Sequence, residues 1–361
     1  MATRNHIEPA KQSPRELSGA PLDDLTQPIR RIAVVGTGVT GASWTALFLA
    51  RGFDVIAADP DPASEARLRY QVDAAWDTLR RIGLSPKGSP EHLFFTLDIS
   101  AAVAEADFIQ ECAPDCADVK IQLIAQLDAA APIDSIIASS AANVPISLIQ
   151  SECAHPERCI TGHPFDLPHL VPLVEVVGGA KTSPQIIRRA MAFYASIGKK
   201  PVHVRKEMLG HVANRLQAAL YREVAHLIQQ DVLGVGDIDT VVSWGPGLRW
   251  GVMGLSTLLH LEAGGQGIRH FMERLAGPLS ACWENLGAPG LTPELQQTII
   301  DGVLQEVGSR SLVQLTRERD ELLIRLLGLR CRSSGSSGAK RASGRKRARG
   351  TAAKSIRTKR N

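Results

Sequence analysis

Two residue patterns in this chain of 361 residues could do chemistry. The first is Thr161-Gly162-His163-Pro164-Phe165, followed by Glu175 inside the apolar run Val171-Pro172-Leu173-Val174-Glu175-Val176-Val177. A carboxylate buried unpaired in such a run is costly, so Glu175 needs a cationic or hydrogen-bonding partner, and His163 is the nearest candidate. A histidine held by a buried carboxylate is an acid–base device, because the carboxylate orients the ring and favours its protonated form. The same spacing also fits a core histidine bonded to backbone beside a glutamate paired with an arginine, and spacing does not choose between the two. The second pattern is Gly36-Thr37-Gly38-Val39-Thr40-Gly41. Its first glycine permits a tight turn, its second lets backbone amides approach phosphates, and its third lets a helix pack closely on a strand.

Those glycines act only between a strand and a helix. The apolar run Ile32-Ala33-Val34-Val35 precedes them and Ala42-Ser43-Trp44-Thr45-Ala46-Leu47 follows, which is the order that cradles a dinucleotide pyrophosphate. A second apolar run, Val55-Ile56-Ala57-Ala58, ends in Asp59, about 20 residues on, where such a fold places an acid for the adenine ribose hydroxyls. An acid there repels the 2′-phosphate of NADP and so favours NAD. Asp107–Cys112 and Ser135–Ser140 read as later strands. Ligands bind beyond the carboxyl ends of such strands, so Glu111, Asp115, Ser139 and Ser140 are expected to face the cofactor crevice.

Strand and helix patterns alternate to about residue 205, the signature of an α/β, Rossmann-type doubly wound sheet. After Val204 the texture changes. Val212, Leu216, Leu220 and Leu227 recur at helical spacing, and further helices are expected over Pro293–Val307, with Thr292 as N-cap, and over Leu312–Leu329. The expected organisation is a polar extension at 1–29, an NAD-binding domain at 30–204, an all-helical substrate and dimerisation domain at 205–329, and a basic tail at 330–361.

The net charge of +4 conceals an asymmetry. Twelve Lys and Arg and no acid lie between Arg330 and Asn361, which leaves 29 basic against 37 acidic groups, a net −8, in residues 1–329. The tail is expected to be disordered, and it is the one segment that suggests contact with nucleic acid or an anionic surface. The first 29 residues carry no apolar stretch of signal-peptide type and no run approaches membrane-spanning length, so a cytoplasmic protein is expected. Cys112, Cys116, Cys153, Cys159, Cys282 and Cys331 fit reduced thiols. Cys153, His155 and Cys159 lack the paired spacing of a metal site, and no metal is expected.

Taken together, Gly36–Gly41 with Asp59, the stretch Ser139-Ser140-Ala141-Ala142-Asn143, His163 with Glu175, and Gly210-His211-Val212-Ala213-Asn214-Arg215-Leu216 resemble the NAD-dependent 3-hydroxyacyl-CoA dehydrogenase superfamily. The resemblance spans residues 30–329. It implies that His163 is the base that takes a substrate hydroxyl proton, that Glu175 orients it, and that Ser139 and Asn214 hold the reacting oxygen. Lys120 and Asp115 fall at basic and acidic family positions near the cofactor, and a homodimer built on the helical domain is implied too. Two departures stand out. Asp166 replaces the usual Asn three residues after the histidine, and Leu209 replaces a Pro ahead of the Gly210 motif. The first adds a carboxylate beside His163, with the expected effect of favouring its protonated form or repelling an anionic substrate.

The segment Ser243–Gly254 looks most like the branch containing carnitine 3-dehydrogenase, with gulonate 3-dehydrogenase, the lambda-crystallin relative, more distant; Leu255 replaces a Pro of that branch. Both act on free hydroxy acids. Arg249 could pair a carboxylate, and Trp244 or Trp250 could face a quaternary ammonium; equally, these residues could be packing and bracing groups. Coenzyme A would want a basic cluster after the second strand, and Pro60–His92 offers scattered Arg67, Arg69, Arg80, Arg81 and Lys87. The rival readings are a thioester dehydrogenase, a β-hydroxyacid dehydrogenase with a catalytic lysine where Asn214 stands, and a crystallin-like protein that binds NAD without turnover.

Overall fold

In the computed structural model, which describes residues 28–330, the apolar runs become one sheet of eight strands. The strands are β1 (Arg31–Val35), β2 (Asp54–Ala58), β3 (Leu93–Thr96), β4 (Phe108–Glu111), β5 (Ile136–Ser139), β6 (Cys159–Pro164), β7 (Leu173–Gly178) and β8 (Lys200–Val204). Their order is β3-β2-β1-β4-β5-β6-β7-β8, and every neighbouring pair is parallel except β6 with β7. The helices of the sheet half are α1 (Val39–Ala50), α2 (Ser64–Ile82), α3 (Ile99–Val103), α4 (Ala117–Ala130), α5 (Ile146–Ile149) and α6 (Pro184–Ser196). The Rossmann-type fold expected from the alternation is the fold observed.

Strands buried on both faces read as continuous apolar runs, and alternate side chains feed opposite cores. Ile32 and Val34 of β1 join Trp44, Phe48, Phe193 and Tyr194 on one face, while Ala33 and Val35 join Ile109, Ile124, Leu127 and Ile137 on the other. Helix α1 is buried almost all round, with Trp44 stacked on Phe48 at 5.2 Å between ring centroids. That packing fixes the glycine turn at its start.

Beyond β8 come α7 (Ala213–Gln229), α8 (Val235–Trp244), α9 (Pro246–Trp250), α10 (Leu255–Glu262), α11 (Gly267–Asn285) and α12 (Pro293–Val307), then helical backbone over residues 312–330. Thr292 caps α12, its Oγ1 accepting the Leu295 amide, as its place before Pro293 suggests. The α7 stripe is helical but largely uncovered. Leu216 is 67% and Leu220 38% exposed, and the buried cluster of this half consists of Ala225, Ile228, Ile238 and Leu295, with Leu227 among the residues packed against it and Phe271 of α11 buried apart from it. The polar extension up to residue 27, Cys331 and the rest of the basic tail lie outside the described residues. Among the described residues no helix is long and apolar enough to cross a membrane.

Candidate active site

The turn between β1 and α1 has the shape a pyrophosphate needs. Gly36 takes a left-handed φ of +87° and donates its amide to the Ala58 carbonyl at 2.8 Å, tying the turn to β2. A side chain on Gly41 would fall 1.9 Å from the Gly36 carbonyl oxygen, so only glycine lets α1 start this close to β1. Gly38 is different: nothing lies within 4 Å of where its Cβ would stand, so the space above it is open. Gly38 is the N-cap of α1, and Val39 and Thr40 begin the helix with no acid in the first turn to neutralise its positive end.

Asp59 stands just past β2, half-buried. Its Oδ2 accepts the Thr37 amide at 2.9 Å and the Thr37 hydroxyl at 3.0 Å. Burial alone would raise this carboxyl, but the hydrogen bonds from Thr37 and Asp61 outweigh it and hold it below the usual carboxylate range. An ionised acid beside an open glycine turn and a bare helix N-terminus fits NAD.

The His163–Glu175 pair is set by strand register. His163 on β6 is the antiparallel partner of Glu175 on β7, and opposed residues share a face. His163 Nδ1 lies 3.3 Å from Glu175 Oε2, and both side chains are buried. The second Glu175 oxygen, Oε1, accepts the backbone amides of Val212 at 2.9 Å and Ala213 at 3.1 Å at the start of α7. Burial would raise the Glu175 carboxyl, but the His163 ring and those two amides bring it below its ordinary value. With Nδ1 directed at the carboxylate, Nε2 is the His163 nitrogen left for other chemistry.

Register also sets the surroundings of Ser139. Ser139 pairs with Glu111 on β4 and with Thr161 on β6, so it stands two residues, roughly 7 Å, short of His163. It is fully buried, its hydroxyl donating to Glu111 Oε2 at 2.5 Å and accepting the Ala141 amide. Ser139 and Glu111 thus engage each other at the carboxyl ends of β5 and β4.

Lys120 lies beside them. It is 1% exposed, and its ammonium group donates to Glu111 Oε1 at 2.9 Å, Glu111 Oε2 at 3.0 Å and the Ala113 carbonyl at 3.0 Å. Three donors are spent, leaving none for a cofactor. Lys120 with Glu111 and Ser139 is a scaffold that fixes the loop after β4. Asp115 on that loop does stay exposed, and its Oδ2 accepts the Asn143 backbone amide at 2.9 Å and the Asn143 side-chain amide at 3.0 Å. Ser140 is half-buried and takes a hydrogen bond from Gln110 at 2.8 Å.

Asn214 lies in the first turn of α7, one residue past the amides that bind Glu175. Asp166 is exposed with a left-handed φ of +57°, and Leu209 is 65% exposed ahead of Gly210, whose φ is +71°. Both departures thus sit on turns at the surface. Arg249 is ion-paired with Glu262 of α10, so its guanidinium is committed within the helical half, and Trp244 is 77% and Trp250 38% exposed.

One residue of the site was passed over. His211, inside the Gly210–Leu216 motif, packs its ring 4.8 Å from the His163 ring. Its only sequence signal was a histidine directly ahead of the α7 start. No group of three or more metal-ligating side chains occurs among the described residues, and Cys159 Sγ donates to Cys153 Sγ at 3.9 Å. A cavity of about 680 Å³ lined by Arg30, Asp54, Asp107 and Arg189 lies at the amino ends of the strands, away from the glycine turn.

Sequence profiles of two domains match the chain: 3-hydroxyacyl-CoA dehydrogenase, NAD binding domain, over residues 31–208, and 3-hydroxyacyl-CoA dehydrogenase, C-terminal domain, over residues 210–294. L-carnitine dehydrogenase from Pseudomonas aeruginosa is 44% identical over 83% of this chain and 94% of its own length. The L-carnitine dehydrogenase of Bacillus cereus is 41% identical over 83% of this chain and 92% of its own. Among solved structures, an NAD-dependent dismutase, 5-formyl-3-hydroxy-2-methylpyridine 4-carboxylic acid 5-dehydrogenase, superposes with a TM-score of 0.72 at 30% identity, covering 84% of this chain and 98% of its own. A 3-hydroxybutyryl-CoA dehydrogenase from Escherichia coli shares the fold with a TM-score of 0.57 at 23% identity, over 76% of this chain and 57% of its own.

Proposed function

The chain belongs to the 3-hydroxyacyl-CoA dehydrogenase family and is an NAD-dependent oxidoreductase of 3-hydroxy acids, and from that premise we propose that its substrate is L-carnitine or a free 3-hydroxy acid of similar size, oxidised to the 3-keto acid through His163 and Glu175. The observation that carries the mechanism is the buried His163–Glu175 pair, with one imidazole nitrogen engaged and the other free. The substrate class is supported by relatives named for L-carnitine that match this chain over most of their length.

In this reading His163 Nε2 takes the proton from the substrate hydroxyl as the carbon–oxygen bond becomes a carbonyl. Glu175 holds the ring in place and offsets the positive charge it gains, and the Val212 and Ala213 amides keep Glu175 ionised. Asn214, on the first turn of α7, is placed to steady the reacting oxygen. The chemistry that bound NAD would supply is acceptance of the hydride. Gly36–Gly41 and Asp59 hold the pyrophosphate and the adenosine end, and Asp115 borders the crevice beyond β4.

We also propose a homodimer joined through the helical half, on the apolar side chains exposed there, among them Leu216, Tyr221, Trp244, Leu248 and Trp283. The described cysteines are free thiols, which fits the reducing cytoplasm.

The test is NADH formation, followed by absorbance, with L-carnitine, gulonate, 3-hydroxybutyrate and 3-hydroxybutyryl-CoA. Turnover of L-carnitine that disappears in His163→Ala, with NAD still bound, is the expected result. Preference for the thioester would overturn the substrate, and NAD binding with no turnover across the panel would point to a cofactor-binding relative without activity.

A further inference from the structure

The base does not stand alone in its pocket. His211 is 4% exposed, and its ring lies against that of His163, 4.8 Å between centroids and tilted by 47°. Its Nε2 is 2.8 Å from the Ala141 carbonyl oxygen, an acceptor only, so Nε2 must carry the proton. That leaves Nδ1 as a lone-pair acceptor, and Nδ1 is buried with no partner. A second orphan, the Thr161 hydroxyl, is two residues before His163 on β6. His211 and Thr161 line the same small cavity, together with Asn143, Val177 and Glu207, and its volume of about 10 Å³ is close to what one water requires.

We propose that His211 is a positioning residue for His163: its ring, fixed as the Nε2–H tautomer by the Ala141 carbonyl and by one water shared with Thr161, is the wall that keeps His163 turned towards Glu175. This rests on the reading of His163 as the base.

The surroundings agree with a neutral ring. Burial pushes the His211 imidazolium below its usual range, and His163 acts in the same direction. The Ala141 carbonyl, Glu175 and Asp115 pull the other way without prevailing. A neutral neighbour leaves one ring of the two to take the substrate proton. The same residue also stitches the site together, because Gly210, just before it, donates its amide to the Ala142 carbonyl at 3.1 Å. The loop after β5 and the start of α7 are thereby joined on either side of the base.

His211 has a left-handed φ of +47°, which Asn tolerates well and Phe does not, so two substitutions separate ring chemistry from backbone strain. In protein labelled with 15N at histidine, without substrate or NAD, the His211 signals, assigned by their loss in His211→Asn, should stay those of a neutral Nε2–H ring at neutral pH and to more acid pH than an ordinary histidine. Thr161→Val should move the Nδ1 resonance and leave Nε2 in place. In turnover, both His211→Asn and His211→Phe should lower kcat about tenfold or more and move the acid limb of kcat/KM to lower pH, with NAD affinity kept, because a ring released from its carboxylate holds a proton less well.

A His211 ring that titrates normally, or carries its proton on Nδ1, overturns the proposal whatever the substrate proves to be. So does an Nδ1 resonance indifferent to Thr161→Val, a loss confined to His211→Phe, or a lower kcat with the acid limb unmoved. The spectroscopic arm needs no turnover, so its failure is distinct from failure of the assigned reaction.

Discussion

Glu175 decides more than the direction of a ring. Its carboxyl is held below its ordinary value, so the stabilisation it contributes is fully present above the unfolded value of about 4.3 and is lost as pH falls through the lower folded one. Glu175→Gln is therefore expected to cost about 1–3 kcal/mol at neutral pH, where the charged acceptor of the Val212 and Ala213 amides is lost. Thermal melts of both proteins should converge only as the pH falls through the lowered folded value, where wild-type Glu175 becomes protonated too. Equal Tm differences at every pH would show that the charge is not what matters. That Glu175 needs a partner is legible in the chain, since a lone carboxylate stands among Val and Leu, whereas the choice of His163 rests on the family resemblance. The partners of Ser139 and Lys120 are not legible, because they depend on which residue of the next strand stands alongside. Register puts Ser139 beside Glu111, and Glu111 then consumes the hydroxyl and the ammonium.

At the level of elements, the glycine turn separates folding from binding within six residues. Gly41→Ala would drive a methyl into the Gly36 carbonyl, part of the backbone that cannot give way, so α1 must shift off β1 and the protein should lose stability outright. Gly38→Ala meets no protein atom within 4 Å, so it should fold with an unchanged Tm while the methyl occupies space meant for the pyrophosphate. NAD titration is expected to show affinity reduced about tenfold or more, roughly 1.4 kcal/mol, in Gly38→Ala. A Gly38→Ala protein with full affinity would place the phosphates elsewhere. These elements were readable because turn, cap and strand signals are local: the Gly36–Gly41 order and the Thr292 cap of α12 need no distant partner. The reversal at β7 was not, because an apolar run carries no direction.

For the whole molecule, the contrast between its halves is the main physical fact. The sheet half has a dense core on both faces, whereas the helical half buries Ala225, Ile228, Ile238 and Leu295 and leaves Leu216, Leu220, Leu248 and Trp283 to solvent. Helices gain most of their stability from packing an apolar face, so this half needs a cover, and a second copy is the cover proposed. Sedimentation should give twice the chain mass of 38.8 kDa, Tm should rise with protein concentration, and Leu216→Glu with Leu220→Glu should give a monomer of lower Tm. A wild-type monomer with concentration-independent Tm would refute the dimer. Helical spacing announced the stripe on α7, but periodicity is silent on what covers it. One consequence of Glu175 belongs to this scale. Because one oxygen faces His163 on the sheet and the other the first amides of α7, the side chain is pleiotropic: under the proposed mechanism it serves catalysis and the joining of the two halves at once. Any mutational path that trades activity for stability by way of position 175 is closed, and drift in either property has to be absorbed by other residues.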